Sequence, residues 1–412
     1  MGPTYWRLWA ATATSSLGDG FSLVALPLLA ASLTDSPALV AGVLVAQRLP
    51  WLLFGVAAGA FADRVHRGRL MVAADAARAV LLTGVVAAGI TDRLSMAIVY
   101  AAAFLVASVE TLHVSASHAV LPLLVDEHQL DRGNGYLMAA NTGGEQLAGP
   151  AAAGLLVAAG AWVPLGLDAL TFLASAALVA SIARRLPRPE RAEATSVRSD
   201  IAEGLRFFAG SPLLRALAVV IGTFAFCQAM VMGVLVLYAT RILGLTPAAY
   251  GLFLAVVAVG NVVGALVAPR LSERVGPVHL LVGAGIASGV AYVGLGAAPN
   301  AQAAAALLAV EAVAVACGSV VSVSLRQSTV PNELLGRVGG AFRTCLWGAM
   351  PIGAAAGGVV ATAGGLRATA VAAGVVQLVV LAATTPRLAR ALARPRLQLA
   401  EALVPVPLAT AA

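Results

Sequence analysis

The chain has 412 residues, of which 60% are hydrophobic and only 11% are charged, and its mean hydropathy is +0.91. A soluble domain carries about 25% charged residues, so this composition excludes an ordinary soluble protein and indicates that the lipid bilayer is the solvent. All 26 basic residues are arginines, and the net charge is +7. We interpret this charge as a sign of membrane topology, and we expect no nucleic-acid partner.

Twelve apolar segments are long enough to cross a bilayer, which takes about 20 residues of helix. The first is predicted to be a membrane span and not a cleaved signal peptide, because it is long and many more follow it. Short turns join most of the segments, as expected for antiparallel helices in a bundle. The predicted spans are residues 8–33, 38–62, 70–90, 95–121, 135–159, 163–183, 213–237, 248–271, 278–298, 301–325, 338–363 and 368–384.

One long polar segment interrupts this pattern near the middle of the chain, at residues 184–211. It contains six arginines and several acidic residues, and it predicts a linker between two six-helix halves. The expected fold is therefore an all-α membrane protein with an N-terminal half at 1–183, the linker at 184–211, a C-terminal half at 212–386 and a tail at 387–412.

The arginines outside the spans favour one side of the membrane. Nineteen fall in loops or termini on one side, whereas only Arg93, Arg241 and Arg367 fall on the other. Positive loops mark the cytoplasmic face. We therefore expect a multi-pass protein of the bacterial cytoplasmic membrane, with both termini and the linker in the cytoplasm.

The two halves share a repeated pattern. Val, Leu, Arg and Gly recur with an offset of 205 residues in the loops that precede the fifth and eleventh spans. Internal repeats of this kind are typical of transporters whose binding site lies between the two halves. The matching residues are Val125, Leu130, Arg132 and Gly135 in the first loop and Val330, Leu335, Arg337 and Gly340 in the second.

The loop between the second and third spans carries a Gly, an Asp-Arg pair and a basic cluster, at Gly59, Asp63, Arg64, Arg67 and Arg69. This pattern resembles the signature of the major facilitator superfamily, although a histidine stands where a second glycine is usual and a glycine where a second basic residue is usual. The resemblance implies that the aspartate and the arginines form a charge relay at the cytoplasmic face that steadies the outward-facing state.

Three further residues are assigned to this cytoplasmic gating cluster. Asp75 and Arg78 lie three residues apart near the start of the third span, so they share one face of a helix. Arg337 occupies the matching loop of the second half. We expect all three to act in gating and not in substrate contact.

The fifth span contains Gly149, Pro150 and Gly154, with Glu145 where the pattern would have an earlier glycine. Small residues let helices approach closely, and proline removes a backbone hydrogen bond. The segment resembles the Gly-Pro motif of exporters in the superfamily. Taken together, the fifth and eleventh spans resemble those of the exporter group that contains the enterobactin exporter and the macrolide and other drug efflux proteins.

This resemblance implies a secondary active transporter that exports a small amphipathic molecule, such as a drug, an antibiotic or a siderophore-like compound, in exchange for protons. We expect no enzymatic activity, no cofactor and no metal, and we expect a monomer. No GxxxxGK[ST] phosphate-binding loop occurs, so ATP hydrolysis is not supported. The alternative is an importer, or a non-transporting sensor or lipid-handling member of the same fold.

Polar side chains within the spans are candidates for the proton-coupling and substrate cavity, because a charge at the centre of a spanning helix costs about 2.5–3.5 kcal/mol on insertion scales. In the superfamily, the first, fourth, seventh and tenth helices line the cavity. Trp347, the tryptophan among the candidates, is interpreted either as part of an aromatic cavity wall or as an ordinary packing residue. The candidates are Asp19, Arg48, Glu110, His113, Gln228, Glu311, Arg343 and Trp347.

Asp19 is the first choice for proton coupling, because it lies near the middle of the first span. Two structural alternatives remain open at the sequence level. Asp19 could cap a helix break at Gly18-Asp19-Gly20, or it could pair with Arg48.

The other buried charges have similar alternatives. Glu110 and His113 share a helix face, where they could form a proton relay or an interhelical hydrogen bond. Glu145 is expected to pair with a nearby arginine, Asp168 to cap its helix at the outer interface, and Glu311 either to face the cavity or to pair with Arg343.

Overall fold

The computed structural model describes residues 1–62, 64–183, 186, 206–330 and 334–402. In this part of the chain every regular element is helical. The first six helices are α1 (Pro3–Leu33), α2 (Pro37–Ala62), α3 (Arg67–Ile90), α4 (Met96–Val120), α5 (Leu130–Asn141, continued by Thr142–Ala148 and Gly149–Leu156) and α6 (Val163–Ala183). The next six are α7 (Pro212–Met232), α8 (Pro247–Val275), α9 (Pro277–Gly296), α10 (Ala301–Thr329), α11 (Leu335–Gly364) and α12 (Leu366–Ala402).

Helix starts follow from local sequence. Ser95, Ser211, Thr246 and Asn300 each precede a helix, and the side-chain oxygen of each accepts a hydrogen bond from the backbone N–H three residues later. Such a cap satisfies one of the N–H groups that a helix leaves unpaired at its start. The turn between α8 and α9 is a single glycine, Gly276, with φ of +85°, a conformation open to glycine at little cost.

Within the described residues, eleven helices are long and apolar enough to cross a membrane. The remaining one is α5, whose middle section, Thr142–Ala148, is π-helical. Pro150 lies two residues after this section and has no N–H to donate, which favours a change of hydrogen-bond register at this point. The all-α membrane fold predicted from the sequence is therefore confirmed, with α5 as an irregular span.

The seventh span also differs from its prediction of 213–237. The helix α7 ends at Met232, and the chain continues through the short turn Leu235–Leu237 into a π-helical turn, Tyr238–Ile242. At the other extreme, α12 continues to Ala402, well beyond the predicted end of its span at 384.

The helices pack in two groups. In the first group, α6 packs on α1 and α3, and α4 packs on α2 and α3; in the second, α10 packs on α8 and α9, and α12 packs on α7 and α9. The groups meet along α2 against α11 and along α5 against α8. We call the end of the bundle with the loop at 34–36 the Asp35 end, and the end with the loop at 64–66 the Arg64 end.

Candidate functional site

Asp19 lies in an unbroken helix. α1 is continuous through Gly18 and Gly20, so the proposed helix break at this point is wrong. The glycines serve a different purpose, because a Cβ on Gly18 would collide with Asp168 on α6. A Cβ on Gly20 would lie only 2.8 Å from the Cα of Gly149 on α5. The two glycines let α5 and α6 pack closely on either side of Asp19.

The partner of Asp19 is Arg78 on α3, and the pairing with Arg48 considered from the sequence is wrong. Arg78 Nη1 lies 3.3 Å from Asp19 Oδ1, and Nη2 lies 2.5 Å from Asp75 Oδ1. The Arg78 and Asp75 side chains are 1% and 0% exposed, whereas that of Asp19 is 27% exposed. Asp19 is therefore the carboxylate of this group that solvent or a ligand can reach.

Asp75 is held from several directions. His113 Nδ1 on α4 lies 2.9 Å from Asp75 Oδ1, and the Ser175 hydroxyl on α6 donates a hydrogen bond of 2.7 Å to Asp75 Oδ2. Asp75 is thus a buried anchor for the guanidinium group of Arg78. The sequence left two interpretations of His113 open, a proton relay with Glu110 and an interhelical hydrogen bond, and its contact with Asp75 on α3 fits the second.

This geometry separates Asp75 and Arg78 from the loop cluster to which the sequence analysis assigned them. Both side chains are buried among α1, α4 and α6. Arg78 lies eleven residues after Arg67 on the same helix, which is about 16 Å at 1.5 Å per residue. Their neighbours are Asp19 and His113, which were assigned to the cavity.

Asp168 belongs to the same region. It is 0% exposed, the Ser22 hydroxyl on α1 donates a hydrogen bond to Asp168 Oδ2, and the Thr171 hydroxyl lies 3.3 Å from its Oδ1. The prediction of an interfacial cap at Asp168 is wrong, because the packing of α6 on α1 places this side chain inside the group of helices.

The sequence analysis missed four side chains that support these charges. Ser15 accepts a hydrogen bond of 3.3 Å from Arg78 Nη2, and the ring of Phe172 lies 4.0 Å from the guanidinium carbon of Arg78. Ser22 and Ser175 bind the carboxylates. One signal was available, since Ser15, Asp19 and Ser22 are spaced four and three residues apart and so share one face of α1.

Three more charged residues, Glu110, Glu145 and Arg48, act on the group through their charges. Glu110 is half-buried on α4, and its charge acts on Asp19, Arg78 and Glu145. Arg48 on α2 is the arginine whose charge acts on Glu145. The expectation that an arginine balances Glu145 is thus consistent with Arg48.

The loop motif occupies the Arg64 end. His66 caps α3, because its Nδ1 accepts a hydrogen bond of 3.4 Å from the backbone N–H of Arg69. The side chains of Arg64 and Arg69 are exposed, and that of Arg67 is half-buried. A Cβ on Gly59 would meet no atom within 4 Å. Asp63 lies outside the described residues, as does the side chain of Arg337 in the first turn of α11.

The Gly-Pro motif of α5 lies at two close helix contacts. Gly149 packs on Gly20 of α1, as described above. A Cβ on Gly154 would lie 2.7 Å from the carbonyl oxygen of Pro247 on α8, and a Cβ on Gly251 of α8 would collide with the carbonyl oxygen of Pro150. The motif therefore brings α5 into backbone contact with both groups of helices.

An ion pair also joins the two groups at the Asp35 end. Arg241, just after α7, lies 2.7 Å from Asp35 Oδ1 through Nη2 and donates a 3.1 Å hydrogen bond to the Asp35 carbonyl oxygen through Nη1. Gly358 of α11 adds a close contact with Ala38 of α2. The two groups of helices are therefore in contact at this end of the bundle.

In the second group of helices, Glu311 is 1% exposed and accepts a hydrogen bond of 2.7 Å from the Tyr292 hydroxyl. Arg343 is exposed, and its charge acts on the neighbouring Arg326. The suggested Glu311–Arg343 pair is therefore wrong, because α11 turns Arg343 away from the buried face of α10 that carries Glu311.

Two other cavity candidates lie on α7 and α11. Gln228 is half-buried. Trp347 packs against Trp51 of α2, with ring centroids 4.0 Å apart and ring planes tilted by 46°. The ring of Trp347 thus forms part of the contact between the two groups of helices.

Taken together, α1, α3, α4 and α6 place three carboxylates, a histidine and several hydroxyls around one arginine. Arg78 is fully enclosed and bound to Asp75, whereas Asp19 is partly accessible and more distant from it. A charge buried in a membrane protein needs such partners. If Asp19 leaves Arg78 for another partner, the buried charge of Arg78 is still compensated by Asp75.

Sequence comparison relates the whole chain to membrane transporters. The family model described as "Transmembrane secretion effector" matches residues 2–410. The multidrug efflux pump Tap of Mycolicibacterium fortuitum is 28% identical over 403 residues, covering 94% of this chain and 96% of that protein. Tap of Mycobacterium tuberculosis strain H37Rv is 29% identical over 380 residues, covering 89% of each.

Structural comparison supports the fold. A point mutant of the nucleoside transporter NupG superposes with a TM-score of 0.73 at 11% identity, covering 93% of this chain and 99% of that chain. A bacterial homologue of the iron transporter ferroportin, in its inward-facing state, gives a TM-score of 0.73 at 16% identity, covering 93% and 100%. At these identities the likeness shows a shared fold alone.

Proposed function

This chain belongs to the transmembrane secretion effector family of the major facilitator superfamily, and from that premise we propose that it exports a small amphipathic molecule in exchange for protons. It is a multi-pass membrane transporter of a small molecule, as its family and its relatives indicate. The direction of transport, the coupling to protons and the class of cargo are the proposed part. The efflux pumps named Tap, which match nearly the full chain, favour export.

The observation that carries the proposal is the asymmetry around Arg78. Asp75 holds the guanidinium group at 2.5 Å and is completely buried, while Asp19 lies 3.3 Å away and is 27% exposed. When Asp19 takes up a proton, Arg78 keeps its charge balance through Asp75. When Asp19 releases the proton, its carboxylate is free to bind a cationic or hydrogen-bonding group of the cargo. Proton and cargo thus compete for one side chain.

The contact at the Asp35 end supports the alternation of access. There α5 and α8 touch through glycines, and Arg241 pairs with Asp35. In the proposed orientation the Asp35 end faces the outside and the Arg64 end, the linker and both termini face the cytoplasm, because most arginines lie at that end. The described conformation is then the one closed to the outside. We further propose that the two six-helix halves move as units, that the transporter is a monomer and that it resides in the bacterial cytoplasmic membrane.

The test uses the full chain in proteoliposomes with an imposed pH gradient, and it follows uptake of the fluorescent cation ethidium and of a panel of labelled antibiotics. Asp19→Asn removes the charge with little change of shape. Asp92→Asn is the matched control, because Asp92 is an exposed loop residue with φ of +53°, which asparagine tolerates.

We expect wild type and Asp92→Asn to accumulate at least one compound only when the gradient is present, and Asp19→Asn to lose this dependence. If Asp19→Asn still responds fully to the gradient, Asp19 is not the coupling residue, and Glu110 and Glu311 become the candidates. Uptake that runs in the import direction would indicate an importer. If the accumulation of every compound is unaffected by the gradient and by substitution of Asp19, Glu110 or Glu311, the protein has a non-transporting role.

A further inference from the structure

A long apolar groove runs along the outer surface of the second group of helices, outside the site described above. Its volume is about 830 Å³, within the range of ligand pockets of about 300–1,000 Å³. It is lined by α8, α9 and α10, and among the lining residues only His279 and Cys317 carry a polar or ionisable group. Such a surface is suited to a hydrocarbon ligand and offers little to a polar one.

The groove exists because α8 and α9 diverge. They are joined by the tight turn at Gly276, but they touch each other only slightly, because α8 packs mainly on α10 and α9 packs on both α10 and α12. Gly260 and Gly264 let the backbone of α8 lie directly against α10, since a Cβ on either would meet carbonyl oxygens of Ala309 or Val313. The floor of the groove is therefore α10, and its walls are α8 and α9.

The groove is long in the direction of the membrane normal. On α8 its lining extends from Val256 to Val275, which is about 28 Å at 1.5 Å per residue. The hydrocarbon core of a bilayer is about 30 Å thick, so an acyl chain from one leaflet needs about half of this length.

Positive charge collects at one mouth of the groove, at the Arg64 end. His279 lines the mouth itself. Arg274 follows the lining residue Leu271 by three positions and Arg270 follows Val263 by seven, so both arginines lie on the groove face of α8. Glu273, the acidic residue next to Arg274 in sequence, points about 100° around the helix from it.

We infer that this groove binds one anionic diacyl phospholipid, with the acyl chains against α10 and the phosphate at Arg270, Arg274 and His279. Basic pockets between spanning helices are suited to anionic headgroups, and the long arginine side chains reach the interface from the helix ends. The inference is independent of transport direction and of Asp19, because the groove lies on the lipid-facing side of α8–α10.

The test is native mass spectrometry of the full chain in detergent. Phosphatidylglycerol and phosphatidylcholine with the same acyl chains are added in equal amounts. Gly283→Leu fills the groove, since a Cβ on Gly283 meets no atom within 4 Å and this residue lines the groove. Its control is Gly84→Leu, an exposed glycine on α3 with equally open surroundings.

Arg270→Gln with Arg274→Gln removes the charge at the mouth. Its control is Arg387→Gln with Arg390→Gln, which removes the same charge from exposed positions of α12 at the same end.

We expect wild type and both controls to retain one phosphatidylglycerol in preference to phosphatidylcholine. Gly283→Leu is expected to lose the bound lipid of either type. The double arginine variant is expected to keep a lipid but to prefer the anionic one about 30-fold less than wild type does, since each of the two arginines contributes about 1 kcal/mol near an anionic surface.

Equal retention of the two lipids by wild type would overturn the inference, as would retention of phosphatidylglycerol by Gly283→Leu at the wild-type level. A dimer that Gly283→Leu dissociates would show that a second copy of the chain covers the groove, and would also overturn it.

Discussion

Substitution of Arg78 tests whether the buried charges around Asp19 form one unit. Arg78→Gln removes the only cation that contacts Asp75 and Asp19 within the described residues, apart from the imidazole of His113. Asp75→Asn removes the charge of the carboxylate that lies closer to Arg78, since Asp75 is 2.5 Å and Asp19 is 3.3 Å away. The double variant removes both charges and leaves two neutral amides in their place.

The magnitude follows from the contacts. Removing one partner of a buried ion pair typically costs about 3–5 kcal/mol, because the other charge is left uncompensated. Asp75 retains the Ser175 hydroxyl at 2.7 Å and His113 at 2.9 Å. We therefore expect the lower end of the range for Arg78→Gln, about 3 kcal/mol, which is about a 150-fold change in the unfolding equilibrium.

The assay is unfolding in mixed micelles titrated with sodium dodecyl sulfate and followed by circular dichroism, for wild type, the two single variants and the double variant. If the charges are coupled, the double variant is less destabilised than the sum of the single variants by about 0.5–3 kcal/mol. Arg132→Gln is the control, because Arg132 is exposed and its contact is with Tyr136 of the same helix. Its effect should stay within about 0.5 kcal/mol.

Strict additivity of the two single variants would refute this reasoning, because it would mean that Arg78 and Asp75 do not stabilise each other. An effect of Arg132→Gln as large as that of Arg78→Gln would likewise show that burial of the charge is not the cause.

The remaining predictions concern the contact at the Asp35 end. Gly251→Ala places a methyl group against the Pro150 carbonyl oxygen. Overpacking of this kind costs about 1–3 kcal/mol, so the population should shift toward conformations in which α5 and α8 are separated, by about 5- to 150-fold. Electron spin resonance distances between labels on α5 and α8 measure this shift, and Gly222→Ala is the control, because a Cβ on Gly222 meets no atom within 4 Å. Asp35→Asn should shift the same distances in the same direction but by less than Gly251→Ala does, because the Asp35 side chain is fully exposed and water and salt screen its pair with Arg241. High salt should abolish the effect of Asp35→Asn, and a shift by Asp35→Asn larger than that by Gly251→Ala would contradict both predictions.

Much of the fold was predictable from composition and local pattern. Eleven of the twelve predicted spans correspond to helices long and apolar enough to cross a membrane, because the hydrophobicity of a segment depends only on its own residues. The irregular α5 was less visible, although Pro150 pointed to a disturbed backbone. The end of α7 at Met232 was not predicted, because its apolar pattern continues beyond the break.

The candidate site was only partly predictable. The sequence identified Asp19, Asp75, Arg78, His113 and Glu311 as charged or titratable residues within spans that would need partners. Beyond placing Asp75 and Arg78 on one face of a helix, it did not identify which of them would meet. It offered Arg48 as one possible partner of Asp19 and Arg343 as one possible partner of Glu311, and the structure contradicts both pairings. It also placed Arg78 with the loop cluster, whereas the contacts of Arg78 are with Asp19 and Asp75.

The reason is physical. Insertion into a bilayer selects apolar segments one at a time, so length and composition determine the spans and their number. Lipid does not drive helices together in any particular rotation, and close packing at small residues decides which faces meet. Here Gly18, Gly20 and Gly149 bring α5 and α6 against α1. That packing, and not the spacing of charges along the chain, places Arg78 beside Asp19 and leaves Asp19 partly accessible.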